Sequence, residues 1–319
     1  MNIVITGGAG FLGARLARTI LAGGVFALDG RPPAPVTKVT VIDRVAVPPS
    51  DQLHSYTMDL TTIGADVVAD ADAVFHLAAA VSGECEADFD LGLSANLRAG
   101  MALLEACRRG GNRPVFVFAS SLAVFGQWPA QRLPDVVTDT TLPTPVTSYG
   151  IQKYVLEQLV TDYTRKGFIR GRPVRLATVS VRPGRPNAAA SGFLSSIIRE
   201  PLAGQRAVCP VAPETPVALS SPSRTIAGLL RAASASTTEF GPPIALNLPS
   251  ISTTVADMVA ALSTVAGPQT AALIDWVPDP AIATIVADWP ARVAADRALG
   301  LGLRPDPDFP SIIREHLAR

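Results

Sequence analysis

Tyr149 and Lys153 stand four residues apart, a spacing that places both side chains on one face of a helix. A tyrosine with a pKa of about 10 is a poor base near neutral pH. A lysine ammonium beside it favours the phenolate. Such a pair can take the hydroxyl proton of a secondary alcohol as hydride leaves its carbon. Ser121 closes the run Val115-Phe116-Val117-Phe118-Ala119-Ser120-Ser121 and offers a hydroxyl to hold the reacting oxygen. These groups can orient and deprotonate, but a bound nicotinamide must accept the hydride.

The elements that would position such a cofactor begin at residue 2. Asn2-Ile3-Val4-Ile5 is a β-branched run, and Thr6 to Gly13 reads TGGAGFLG. Leu12, Leu16 and Ile20 then recur at helical spacing. Strand, glycine turn and helix is the arrangement that binds a pyrophosphate at a helix N-terminus. Gly7 allows the tight turn, Gly10 the approach of backbone to phosphate, and Gly13 the packing of helix on strand. Phe11 and Leu12 open the helix and join the expected cofactor contacts. A second strand, Lys38 to Ile42, ends at Asp43. A carboxylate there accepts hydrogen bonds from the adenosine ribose and repels the extra phosphate of NADP. The expected cofactor is therefore NAD, although Arg44 follows at once.

Further strands are expected at His54 to Met58, Ala73 to Ala79, Val115 to Ala119 and Arg175 to Val181, with helices over Leu93 to Arg109 and from Tyr149 onward. This alternation predicts an α/β fold with a parallel sheet and ligands at its carboxyl edge. Beyond Arg185 the pattern changes: helices are expected at Gly192 to Glu200, Arg224 to Ala235 and Thr254 to Ala266, and a strand at Ile244 to Leu248. Residues 1–184 should form the nucleotide-binding domain, with returning segments around 224–248. Residues 185–319 should mainly form a smaller substrate lobe.

Lys+Arg and Asp+Glu both number 27. That balance gives no footprint for nucleic acid or an anionic membrane, so neither is an expected partner. Apolar runs are interrupted before they could span a bilayer. Cys85, Cys107 and Cys209 are widely spaced and odd in number, neither a disulfide framework nor a metal-ligand pattern. No metal is expected. A first strand starting at residue 2 leaves no room for a secretory leader, so a cytoplasmic location is expected.

The glycine loop, Asp43, Ser121, Tyr149 and Lys153 occur in the order one mechanism needs. Together they resemble the extended short-chain dehydrogenase/reductase family of NAD-dependent epimerase/dehydratase type. The resemblance implies a doubly wound Rossmann sheet. It also implies that Asp59 and Leu60 meet the adenine, that Leu77, Ala78, Ala79 and Asn96 line the cofactor, and that Lys153 touches the nicotinamide ribose. Val124-Phe125-Gly126 stands where the family often has Val-Tyr-Gly. The helices Leu93 to Arg109 and Tyr149 to Arg165 resemble the pair that joins two copies, which implies a homodimer. The stretch Arg182-Pro183-Gly184-Arg185-Pro186-Asn187, with Asn247-Leu248-Pro249 and Asp288-Trp289-Pro290, resembles the D-erythronate 2-dehydrogenase branch. That branch implies oxidation of a four-carbon sugar acid at C2.

Ser82, Ser121, Tyr149, Arg185 and Arg224 are the substrate-binding candidates, since arginine binds carboxylates bidentately. The family's dehydratases carry an acidic pair after the catalytic hydroxyl residue. Here those positions are Leu122 and Ala123, which transfer no protons. A nucleotide-sugar 4-epimerase and a uronate dehydrogenase remain as alternatives on the same three catalytic groups.

Overall fold

The computed structural model describes residues 1–184 and 190–318. Seven strands form the central sheet: β1 (Asn2–Thr6), β2 (Lys38–Asp43), β3 (Leu53–Thr57), β4 (Ala73–His76), β5 (Val115–Ser121), β6 (Arg170–Leu176) and β7 (Leu246–Asn247). Their order is β7-β6-β5-β4-β1-β2-β3. β1 runs parallel to β2 and β4, with Ile5 opposite Val41 on one side and Phe75 on the other. Strand order reverses between β1 and β4, and this switch point opens a crevice beyond the carboxyl ends of the strands. The expected doubly wound α/β architecture is thus the observed one.

The strands form because their residues can be buried on both faces. Ile3, Ile5, Phe75 and Val115 to Phe118 are entirely buried. Among the helices of the compact unit built on this sheet are α1 (Phe11–Gly23), α2 (Ala99–Gly110) and α3 (Ser148–Arg165). Leu103 and Leu104 of α2 join Leu156 and Val160 of α3 and Phe116 and Phe118 of β5 in one apolar cluster. Helical backbone already begins at Phe89 and passes through a π turn at Leu93–Arg98 before α2.

Three strand expectations need correction. β4 stops at His76, and Leu77 to Ala79 form an irregular segment beyond it. β7 is two residues long where five were expected. The sixth strand runs from Arg170 to Leu176 rather than from Arg175 to Val181. Thr178–Val179 is a separate short strand beside Pro216–Ser220. Charge hid the start of β6: Arg170 and Arg172 precede the expected strand, yet Arg172 and Arg175 are both buried against carboxylates. Arg172 Nη2 donates to Asp29 Oδ1 at 3.1 Å and Arg170 Nη1 to Asp29 Oδ2 at 2.7 Å. The Arg172 guanidinium also lies 4.8 Å from the Phe240 ring centroid.

The chain divides into two compact units. The first comprises Met1–Ser121, Thr147–Arg175 and Ile226–Leu246; the second comprises Leu122–Val146, Leu176–Thr225 and Asn247–Arg319. The second has its own core. Leu194, Ile197 and Ile198 of helix Phe193–Leu202 pack with Leu219, Met258, Leu262 and Ile313. Asp306 Oδ2 accepts the Ser221 N–H at 2.7 Å, tying a loop to the start of helix Pro222–Ser234.

Asp29 carries the charge balance of two arginines on β6. Removing one partner of a buried ion pair costs about 3–5 kcal/mol, because the remaining charge is left uncompensated. Asp29→Ala should therefore lower unfolding free energy by about 3 kcal/mol, with Asp29→Asn intermediate, as read from denaturant midpoints.

Candidate active site

The glycine loop leaves β1 in a conformation that few residues could replace. Gly7 has φ +72°, and a Cβ there would lie 2.8 Å from the Ala78 nitrogen. At Gly13 a Cβ would lie 2.1 Å from the Gly7 carbonyl oxygen, so α1 can approach the loop only through glycine. Gly10 precedes α1 with extended backbone. Its Cβ would meet only the Gly7 carbonyl oxygen, at 3.1 Å. Phe11 and Leu12 form the first turn of α1. Gly8, which motif spacing does not single out, presses on Val41: a Cβ there would sit 2.5 Å from the valine Cβ.

Thr6 joins this loop to the end of β4. Its Oγ1 lies 2.7 Å from His76 Nδ1 and accepts the Ala78 N–H at 3.2 Å. His76 is entombed and stacks on Phe118 with ring centroids 5.7 Å apart. Burial, reinforced by the Lys153 ammonium, drives its pKa down to about 3, so the imidazole is neutral at physiological pH. Neither Thr6 nor His76 figures among the residues read from the sequence, since Thr in a strand and His in an apolar run look like packing.

Asp43 ends β2. Its Oδ2 accepts the Ala9 N–H at 3.0 Å and its Oδ1 the Val45 N–H at 3.1 Å. Arg44 pairs with Asp59, Nη2 to Oδ2 at 2.8 Å. Hydrogen bonds from Thr61, then the Arg44 charge, hold the Asp59 carboxyl below the usual carboxylate range against a small opposing effect of burial. Gly7, Gly10, Asp43, Asp59, Leu60 and Leu77 to Ala79 line one cavity of about 370 Å³. Ile42, Arg44, Met58, Ala80, Glu84, Leu91, Ala95 and Ala99 complete its wall. The small residues Ala95 and Ala99 carried no motif. Asn96 is 1 % exposed. Its Oδ1 accepts the Ala80 N–H at 2.7 Å and its Nδ2 donates to Gln152 Oε1 at 2.7 Å. It braces the segment that follows β4.

α3 carries the tyrosine and the lysine. Thr147 caps it by accepting the Gly150 N–H. Glu86 Oε1 accepts the Ser148 N–H at 2.7 Å, joining the short helix Ser82–Ala87 to the same helix start. Ser82, half-buried, opens that short helix. Tyr149 is half-buried and Lys153 is 3 % exposed. Lys153 Nζ donates to the Ala119 carbonyl at 2.8 Å. It lies 5.5 Å from the Tyr149 ring centroid and 5.0 Å from that of Phe118. Burial lowers its pKa to about 8, with Cys85 and Glu157 acting in the opposite direction. Ser121, two residues beyond Ala119, is the last residue of β5. The first unit thus contains the glycine loop, Asp43, Ser82, Ser121, Tyr149 and Lys153. Arg224 is exposed on the second unit, and Arg185 lies outside the described residues. Among the described residues, no group of three or more His, Cys, Asp or Glu could hold a metal ion.

A glycine cradle at a sheet switch point, with a tyrosine and a buried lysine on a neighbouring helix, defines a dinucleotide-dependent enzyme scaffold. Residues 3–218 match the model of the NAD dependent epimerase/dehydratase family, and the chain belongs to that family. A Cupriavidus necator protein named D-erythronate dehydrogenase is 47% identical, the match covering 99% of this chain and 98% of that one. A Haemophilus influenzae protein of the same name is 40% identical, with 99% of each chain covered. The crystal structure of a protein described as the nucleoside-diphosphate-sugar epimerase from Agrobacterium tumefaciens superposes with a TM-score of 0.91 at 40% identity. That match covers 100% of this chain and 94% of the other.

The state of His76 sets an acid limit on this site. Its pKa is about 3 folded and about 6.5 unfolded, so the unfolded chain binds the extra proton between those values. The resulting stability is fully present above about pH 6.5 and is lost as pH falls towards 3, at about 1.4 kcal/mol per pH unit. His76→Asn should flatten the decline in unfolding free energy across that window, measured by denaturation at a series of pH values.

Proposed function

We propose that this protein oxidises D-erythronate at C2 to 2-oxo-D-erythronate. The observation that carries this reading is full-length similarity, at 47% and 40% identity, to two proteins named D-erythronate dehydrogenase. The arrangement of Lys153, Tyr149 and the end of β5 supports it. NAD, when bound, supplies the ring that accepts the hydride. The cradle fits such a cofactor: Gly7 and Gly13 let the loop pack tightly on Ala78 and on α1, and Gly7, Gly10, Asp43 and Leu77 to Ala79 line one cavity beside it.

The chain's own residues do the rest. Tyr149 takes the proton of the C2 hydroxyl. Lys153 favours the tyrosinate by its charge and touches the nicotinamide ribose. Ser121 holds the reacting oxygen in line. Asp43 accepts from the adenosine ribose hydroxyls, and Asp59 and Leu60 bound the adenine. With Arg44 drawn onto Asp59, the carboxylate of Asp43 governs the ribose position and favours NAD over NADP. Ser82 and one of Arg185 and Arg224 serve the sugar acid, the arginine binding its carboxylate. Residues 1–184, with returning segments around 224–248, chiefly serve the nucleotide and 185–319 chiefly the substrate, while Leu122–Val146 and residues 176–184 belong to the second compact unit.

We further infer a cytoplasmic homodimer. The three cysteines are free and buried, in keeping with a reducing compartment. Met101 of α2 and Ile151 and Val155 of α3 are 47%, 48% and 36% exposed, apolar groups that a copy of the same helices would cover. Sedimentation should give the mass of two chains; a monomer at assay concentration would overturn the dimer.

The catalytic roles are tested by substitution. Tyr149→Phe removes the proton acceptor and keeps the ring, so NAD binding should survive while oxidation of D-erythronate falls about 10²–10⁴-fold. Ser121→Ala should cost less, and Lys153→Met should harm both binding and turnover. NADH formation with D-erythronate, other aldonic acids and uronic acids, followed at 340 nm, separates the proposed activity from uronate oxidation. Net NADH formation also separates it from epimerisation, which leaves no net reduced cofactor.

A further inference from the structure

Beneath the proposed catalytic groups lies an ion pair that the reaction as written does not use. Glu157 is one turn beyond Lys153 on α3 and is 1 % exposed. Arg175 of β6, 4 % exposed, grips it bidentately, Nε to Oε1 at 2.9 Å and Nη2 to Oε2 at 2.7 Å. The remaining capacity of Oε1 is met by Ser120, whose Oγ donates to it at 2.5 Å. One carboxylate thus binds three elements: its own helix, β6 through Arg175 and the end of β5 through Ser120.

The contacts on β5 fall on consecutive residues. Lys153 Nζ holds the carbonyl of Ala119, and Glu157 holds the hydroxyl of Ser120. Ser121 follows directly. Two bonds from one helix therefore fix the backbone that presents the Ser121 hydroxyl. Replacing such a buried pair by apolar residues of similar volume is often neutral or stabilising. Stability alone therefore does not account for three charged groups at this point.

Resting on the reading of Tyr149, Lys153 and Ser121 given above, we propose that Glu157 and Arg175 are positioning residues for the reaction. They lock the end of β5 through Ser120 so that Ser121 is aimed, and Glu157 supplies the standing counter-charge that keeps the buried Lys153 an ammonium. The groups facing Lys153 fit this role. Tyr149 and Glu157 share its helix. His76 of β4 is neutral. Burial raises the Cys85 thiol above its ordinary value, so it carries no charge at neutral pH. Phe118 and the Ala119 carbonyl face it from β5. Arg175 bonds the far side of Glu157 through both carboxylate oxygens.

The chain contains three lysines, Lys38, Lys153 and Lys166, so protein carrying ¹³C at lysine Cε gives three titrating resonances. Lys153→Met assigns the buried one. In Glu157→Gln, which keeps an acceptor for Ser120 but no charge, Lys153 should titrate at least about one pH unit lower than in the unaltered protein. Lys38 and Lys166 should not move. Glu157→Asp, which keeps the charge, should return Lys153 most of the way to its titration in the unaltered protein, and Glu157→Ala, which also lacks the charge, should lower it if Glu157→Gln does not fold. In Ser120→Ala the Lys153 titration should stay in place while kcat falls at least about tenfold with little change in KM. An unmoved Lys153 resonance in Glu157→Gln, or full kcat in Ser120→Ala, would overturn the inference. The NMR titration needs no turnover: a shifted Lys153 beside an active Tyr149→Phe would sink the proposed catalysis and leave the counter-charge standing. An unshifted Lys153 beside an inactive Tyr149→Phe would do the reverse.

Discussion

A lysine ammonium removed from water is the constraint around which the first unit is built. Taking one ion out of water costs several kcal/mol unless partners compensate it, and Lys153 is 3 % exposed. The compensation comes from three directions: the Ala119 carbonyl, the faces of two aromatic rings and the carboxylate one turn along the helix. Each partner belongs to an element that must then stay in register. The helix cannot slide on the sheet without breaking the bond to Ala119. Nor can it turn without exposing Gln152, Lys153 and Glu157, all of them buried. α3 consequently has an unusual surface, with polar groups inward and Ile151 and Val155 outward.

The crevice is held from the opposite side by a second set of contacts. Thr6 binds both the histidine that ends β4 and the backbone just past it, while Asp43 binds the amide of Ala9 in the glycine loop. The carboxyl ends of β1, β2 and β4 are therefore cross-linked by side chains in addition to backbone hydrogen bonds, the Gly7 N–H donating to the Ile42 carbonyl at 2.8 Å and the Leu77 N–H to the Thr6 carbonyl at 3.2 Å. This is why the loop can keep a positive φ at Gly7 and still present a fixed row of amides.

Much of this was legible beforehand, because the chemistry depends on residue types that periodicity exposes. The three glycines, the acid that ends β2, the serines that end β5 and the Tyr-x-x-x-Lys helix are local patterns, and all of them fall in the first compact unit. The residues that escaped notice act over long sequence distances. Asp29 meets Arg172 from 143 positions away, and Glu157 meets Ser120 across 37. Nothing in the local pattern of β6 shows that its arginines are neutralised, so the sixth strand is expected from Arg175 rather than from Arg170. Asn96 illustrates the same difficulty: an amide on a helix can face a ligand or brace a loop, and only its partners tell which.

The π turn at Leu93–Arg98 has a geometric consequence for the cavity wall. An α-helix rotates about 100° per residue, so positions spaced by four drift about 40° at each step around its axis. A π turn closes its hydrogen bonds over five residues and rotates less per residue. Leu91, Ala95 and Ala99 span this turn, and the wider winding offsets part of that drift, so that all three line the cavity. A chain one residue shorter here would wind as ordinary α-helix and swing the Phe89–Gly92 segment about 100° around the axis. One extra residue in a helix thus carries the phase of a binding wall that no strand or glycine could set.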